Sequence, residues 1–213
     1  MIRLANFKSL QRVLFLGAHS DDIEIGAGGT AQRIIEEAPG VEIQWVVFSG
    51  DENRREEARI SADEYLKNVE HKKVELHTFR DGYFPYEGAA IKDCFEELGK
   101  EFNPDLIFTH YRDDRHQDHR IVSDLTWNTF RNHIILEYEI PKYDGDLASP
   151  NVFVEVNETQ CKKKAEILER CFRSQSGKAW FNESTFIGLM RIRGMEANAN
   201  GGAEGFYCRK MKI

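Results

Sequence analysis

The chain lacks any long apolar run. No stretch approaches the ~20 residues that span a bilayer. The opening residues Met1-Ile2-Arg3-Leu4-Ala5-Asn6-Phe7-Lys8 carry no apolar signal-peptide core. Both absences argue against a membrane span and lead us to expect a cytoplasmic protein. A basic excess is also lacking: 29 Lys and Arg face 36 Asp and Glu, a formal net charge of −7. That sign disfavours nucleic acid and anionic membrane as partners. The four cysteines, Cys94, Cys161, Cys171 and Cys208, form no CxxC pair. A structural zinc knot is therefore not indicated, and a chain of 213 residues needs no disulfide scaffold. Reduced thiols, mostly in the core, are expected. There is no internal repeat, low-complexity tract or linker, so residues 1–213 read as one domain.

What remains is an ordinary globular composition, 41% hydrophobic and 31% charged. Apolar runs at 13–16, 41–48, 74–79, 105–109, 133–140 and 152–156 read as strands. Between them, 28–37, 52–68, 91–102, 116–132 and 159–172 read as helices. Gly and Pro mark 81–88 as a loop. The Gly-, Ala- and Asn-rich stretch 193–204 reads as a mobile loop before a last strand over 205–209. This β-α-β-α alternation predicts an α/β fold: a mostly parallel, doubly wound, Rossmann-like sheet in a three-layer α/β/α sandwich.

Two polar clusters follow apolar runs. His19-Ser20-Asp21-Asp22 comes after Val13-Leu14-Phe15-Leu16. Asp114-Arg115-His116-Gln117-Asp118-His119 comes after Leu106-Ile107-Phe108. The carboxyl ends of strands are where open α/β sheets build their sites. Polar groups buried there must find partners to offset desolvation. Imidazole and carboxylate together suit zinc, manganese or iron, whereas calcium and magnesium prefer oxygen. The second cluster alone could be N-terminal helix capping by Asp114 and Asp118; the two clusters together favour a metal site. Gly26-Ala27-Gly28-Gly29 is not GxGxxG, and a small-residue helix entry explains it as well as a phosphate cradle does. The charge run Arg54-Arg55-Glu56-Glu57-Ala58-Arg59 is usually a solvated helix face, although one Arg could reach the site. Tyr83, Phe84 and Tyr86 read as packing or as the wall of a cleft, and Trp45 as core.

These residues resemble the PIG-L (LmbE-like) family of zinc-dependent N-deacetylases. The family's first signature, roughly A-H-P-D-D-E, is met by Ala18-His19-Ser20-Asp21-Asp22-Ile23-Glu24. Its second, H-x-D-H, is met by His116-Gln117-Asp118-His119. Arg54-Arg55-Glu56-Glu57-Ala58, Asp81-Gly82 and Ser174-Gln175 resemble weaker family elements. The resemblance implies His19, Asp22 and His119 as zinc ligands and Asp21 as general base. It implies His116 as general acid and oxyanion partner, Asp118 orienting it and raising its pKa, and Arg54 contacting substrate or bracing the site. The implied activity is removal of an acetyl or other acyl group from an N-acyl amino sugar or related small amide, by metal-activated water. The substrate would be a free or conjugated small molecule. The family often assembles, which is compatible with a homo-oligomer, though no interface signature is seen. Ser20, Ile23 and Gln117 depart from the family pattern. Alternatives are a phosphoesterase, a lactamase-like metallohydrolase on a β-sandwich, and a non-catalytic nucleotide- or sugar-binding module.

Overall fold

A computed structural model describes residues 6–211. Residues 1–5, most of the segment read for a signal-peptide core, and 212–213 lie outside the described residues. One seven-stranded sheet organises the chain, in the order β3-β2-β1-β4-β5-β7-β6. Strands β1 (Arg12–Gly17), β2 (Glu42–Ser49), β3 (Lys72–Phe79), β4 (Leu106–His110) and β5 (Ile134–Tyr138) are mutually parallel. β7 (Gly202–Tyr207) runs antiparallel to both β5 and β6 (Val152–Val156). This is the expected mostly parallel α/β sandwich, and the β-sandwich required by a lactamase-like reading is contradicted.

Period-two alternation divides the apolar residues between two layers. Val13 and Phe15 of β1 face one core, with α1 (Asp22–Glu37), α2 (Glu52–Tyr65) and α5 (Glu158–Cys171). Leu14 and Leu16 face the other, with α3 (Phe84–Glu101) and α4 (Gln117–Thr129). Burial on both faces explains why the central strands read as continuous apolar runs rather than alternating ones.

Helix starts follow local chemistry. The Asp51 side chain accepts the Arg54 N–H at 2.8 Å and caps α2. Asn157 and Gln160 form a reciprocal capping box on α5. The glycine-rich stretch lies inside α1, where a Cβ on Gly26 would overlap the Tyr138 ring and one on Gly28 would crowd Tyr65. These glycines serve close packing, which displaces the phosphate-cradle reading.

Two expectations are corrected. Residues 193–204 are not a loop: α6 (Glu183–Ala197) occupies the first part and β7 the last. Asn198, with φ +53°, ends the helix between them. The loop expected at 81–88 stops at Tyr83, because Pro85 sits in the first turn of α3, where its missing N–H costs no hydrogen bond. Among the described residues, no helix is long and apolar enough to cross a membrane.

Candidate metal centre and active site

β1 and β4 are neighbours, yet their following helices pack on opposite faces of the sheet. The strand order therefore reverses here, and a crevice opens at the carboxyl ends of both strands. The first cluster leaves β1 and enters α1 at Asp22. The second leaves β4 and enters α4 at Gln117. The fold thus brings two clusters about 100 residues apart into contact.

Three donors converge. His19 Nδ1 lies 3.2 Å from Asp22 Oδ2 and 3.1 Å from His119 Nε2. His119 Nε2 lies 3.5 Å from Asp22 Oδ1. Bonds of about 2.0–2.1 Å to a tetrahedral zinc would place neighbouring donors about 3.3 Å apart; each of these three separations is of that size, with the two imidazoles approaching different oxygens of the Asp22 carboxylate. The outer ring nitrogens are also held. His119 Nδ1 is 2.9 Å from Asp114 Oδ2, and His19 Nε2 is 3.1 Å from Asp81 and 3.3 Å from Asp118. Carboxylates behind imidazoles fix the tautomer and strengthen the inward nitrogen as a donor.

The electrostatics agree. Burial opposes charge on Asp22, but His119, His110 and His19 hold its carboxyl well below the usual range. Burial likewise opposes charge on His19 and His119, yet Asp22, with Asp118 and Asp81 for His19 and Asp114 for His119, raises both. The cluster attracts positive charge, which a divalent cation would supply while displacing protons. His116 and His110 each share a candidate cluster with His119. Both are less suited to be ligands. His110 Nε2 already accepts the Ala18 N–H at 2.9 Å, and His116 Nδ1 accepts the Asp118 N–H at 3.3 Å.

The other expected residues surround this triangle. Asp21 is buried, and its Oδ1 accepts from Arg54 Nη2 at 2.8 Å. Burial raises the Asp21 carboxyl, and the Arg54 charge is the largest influence opposing that rise. Arg54 therefore braces Asp21, while its Nε is buried with no hydrogen-bond partner among the described residues. Two expectations about His116 and Asp118 change. The Asp118 carboxylate accepts from Gly82 N at 2.6 Å and Phe84 N at 3.2 Å and meets His19 Nε2. It thus ties the loop before α3 to His19, and what holds the His116 ring is the Asp118 backbone N–H, donated to Nδ1 at 3.3 Å, in place of the carboxylate. The His116 pKa is lowered, not raised: desolvation, then the charges on His19 and His119, outweigh Asp118.

Three contributors escaped sequence reading. His110 ends the apolar run of β4, is fully buried and stacks on His119 with ring centroids 3.9 Å apart. Its signal was a polar residue at a buried strand's carboxyl end. In sequence Asp81 is only part of a loop element, and Asp114, though inside the second cluster, is given no contact with a particular histidine. The departures from the family pattern have local explanations. Ile23 packs in the core, Gln117 donates to the Gly82 carbonyl, and Ser20 Oγ lies 3.4 Å from the Ser49 carbonyl oxygen. Glu24 is buried beside Ser61, and burial pushes its carboxyl up to about 8. The weaker elements also meet: the Glu57 carboxylate accepts both the Ser174 N–H, at 2.8 Å, and its hydroxyl, at 2.6 Å.

Comparison with known proteins adds to this geometry. The family model described as PIG-L, GlcNAc-PI de-N-acetylase, matches residues 14–130 and so includes both clusters. No curated protein matches the chain. Among solved structures, N,N'-diacetylchitobiose deacetylase from Pyrococcus horikoshii is 24% identical with a TM-score of 0.71, over 95% of this chain and 85% of that one. The zinc-inhibited form of teicoplanin deacetylase is 16% identical with a TM-score of 0.72, over 93% and 97%. The 4-carboxy-2-hydroxymuconate hydratase from Pseudomonas putida is 16% identical with a TM-score of 0.70, over 95% and 98%. At these identities the likeness is one of fold.

Proposed function

The chain belongs to the PIG-L family, and on that premise we propose that it is a zinc-dependent N-deacetylase of an N-acetylated amino sugar or sugar conjugate. The observation that carries this reading is the buried triangle of His19, Asp22 and His119 with the braced carboxylate of Asp21 beside it. Those three residues would hold the zinc. A zinc with three protein ligands polarises an amide carbonyl and brings the pKa of water from ~15.7 to ~7.

The chain's own residues supply the rest. Asp21 takes the proton from the attacking water. Its burial favours the protonated form and Arg54 favours the ionised one, a balance suited to a group that accepts a proton and returns it. Asp21 then passes that proton to the departing amine. His116 accepts the Asp118 N–H through Nδ1, so its neutral ring carries hydrogen on Nε2. It acts as a hydrogen-bond donor to the developing oxyanion, which needs no imidazolium. The Arg54 side chain, 17% exposed, could offer a further guanidinium donor to a substrate oxygen beside Asp21. Asp81, with its side chain 58% exposed, can accept from a sugar hydroxyl at the mouth.

The test is acetate release from a panel of N-acetylated sugars and sugar conjugates, with and without chelator. Metal-dependent acetate release supports the reading. Because a hydratase shares the fold, the same panel should include an unsaturated carboxylic acid. Water addition there, with no acetate from any amide, would replace deacetylation as the activity.

A further inference from the structure

Lys142 is a cation that the proposed chemistry does not use. It lies in the segment 139–151 between β5 and β6, which has no helix or strand, yet its side chain is only 10% exposed. Its ammonium has three acceptors for three hydrogens: Asp114 Oδ2 at 2.8 Å, Asp146 Oδ2 at 2.6 Å and the Ile140 carbonyl at 3.3 Å. Asp114 Oδ2 is the same oxygen that meets His119 Nδ1. Asp114 Oδ1 accepts the His116 N–H at 2.7 Å, and Asp146 Oδ2 accepts the Arg115 N–H at 2.8 Å. The far side of the segment is pinned separately, where Arg193 donates to the Glu139 carboxylate and to the Ala148 carbonyl. Tyr143, 75% exposed, lies in sequence between Lys142 and Asp146.

A continuous polar chain therefore runs from His119 through Asp114 and Lys142 to Asp146. A cation on His119 Nε2 would make its Nδ1–H a stronger donor to Asp114 and so favour the arrangement in which Asp114 is held by Lys142. Coupling of this kind is reciprocal: whatever helps the segment close must help the site keep its cation.

We propose that Lys142 is a positioning residue that couples the segment 139–151 to the metal centre, so that cation binding orders the segment and the closed segment retains the cation. This rests on the assignment of His19, Asp22 and His119 as ligands. Amide hydrogen exchange over 140–147, measured with and without zinc, tests it together with zinc affinity by chelator competition. The proteins are the wild type, Lys142→Met, and Lys142→Met with Asp146→Asn; the last removes the carboxylate that the first substitution strands. We expect zinc to slow exchange of the segment in the wild type. Both variants should still bind zinc, about tenfold more weakly, with exchange indifferent to it. Zinc binding by the wild type without slowed exchange would overturn the coupling alone. Equal affinity and equal slowing in the variants would overturn the role of Lys142. Failure of the wild type to bind zinc at all would overturn the ligand assignment, and this coupling with it.

Discussion

Replacing Arg54 by Met should move the acid limb of the pH–rate profile upward. As the proposed base, Asp21 must be ionised, and the guanidinium at 2.8 Å is the largest influence favouring that form. With charge centres about 4 Å apart, Coulomb's law at an effective dielectric of 20 gives about 4 kcal/mol, equivalent to about 3 pKa units. The Arg54 side chain is 17% exposed, and partial solvation screens the pair. A shift of about 1–2 units is therefore expected, within the range observed when a carboxylate gains or loses an arginine partner. The sign is definite. Without Arg54, Asp21 protonates at higher pH, so activity at any pH below the limb falls by about 10- to 100-fold. Well above both limbs the deficit shrinks to whatever Arg54 contributes through substrate contact. The assay is kcat/KM for acetate release from about pH 5 to 9, alongside Arg54→Lys, which keeps a point charge and should fall between. An acid limb unmoved in Arg54→Met would refute the argument that Arg54 sets the ionisation of Asp21, even if overall activity dropped.

Further outcomes are expected. Asp21→Asn should keep zinc, measured by elemental analysis, and lose about 10²–10⁴-fold in turnover; near-normal turnover would remove Asp21 as the base. Asp114→Asn should weaken zinc binding by about 10- to 100-fold through His119, while affecting Asp21 chemistry less. His110 is buried and desolvation pushes its imidazole down to about 4, so it contributes stability above about pH 6.5 that is lost as pH falls towards 4, up to about 3 kcal/mol. In His110→Phe, denaturant midpoints across that window should fall less steeply with acid, from a lower neutral starting point because the Ala18 N–H loses its acceptor.

Much of this fold was legible because burial on both faces makes the central strands read as plain apolar runs. The difference at 193–204 has a physical cause. α6 carries Phe186, Ile187, Leu189, Met190 and Ile192, so it shows no polar face to betray a helical period, and the Gly- and Ala-rich residues after it mask both its end and the start of β7. The two His and Asp clusters were visible as local motifs. Their partners were not, because Asp81 reaches the site from the turn after β3, His110 from the end of β4, and Lys142 from a segment without secondary structure. Nor could spacing show that the Asp118 carboxylate is drawn to Gly82, Phe84 and His19, leaving His116 held by a backbone N–H.

The proposed role of His19, Asp22 and His119 is to hold one metal ion that is required for N-deacetylation. It is tested most directly by titrating metal-depleted protein with zinc while following acetate release from an N-acetylated amino sugar the enzyme accepts, in the wild type and in His119→Ala. Activity should rise to a maximum near one zinc per chain, and the variant should neither retain zinc nor recover activity. Full acetate release by the metal-depleted wild type, or restoration of His119→Ala at the same stoichiometry, would contradict it.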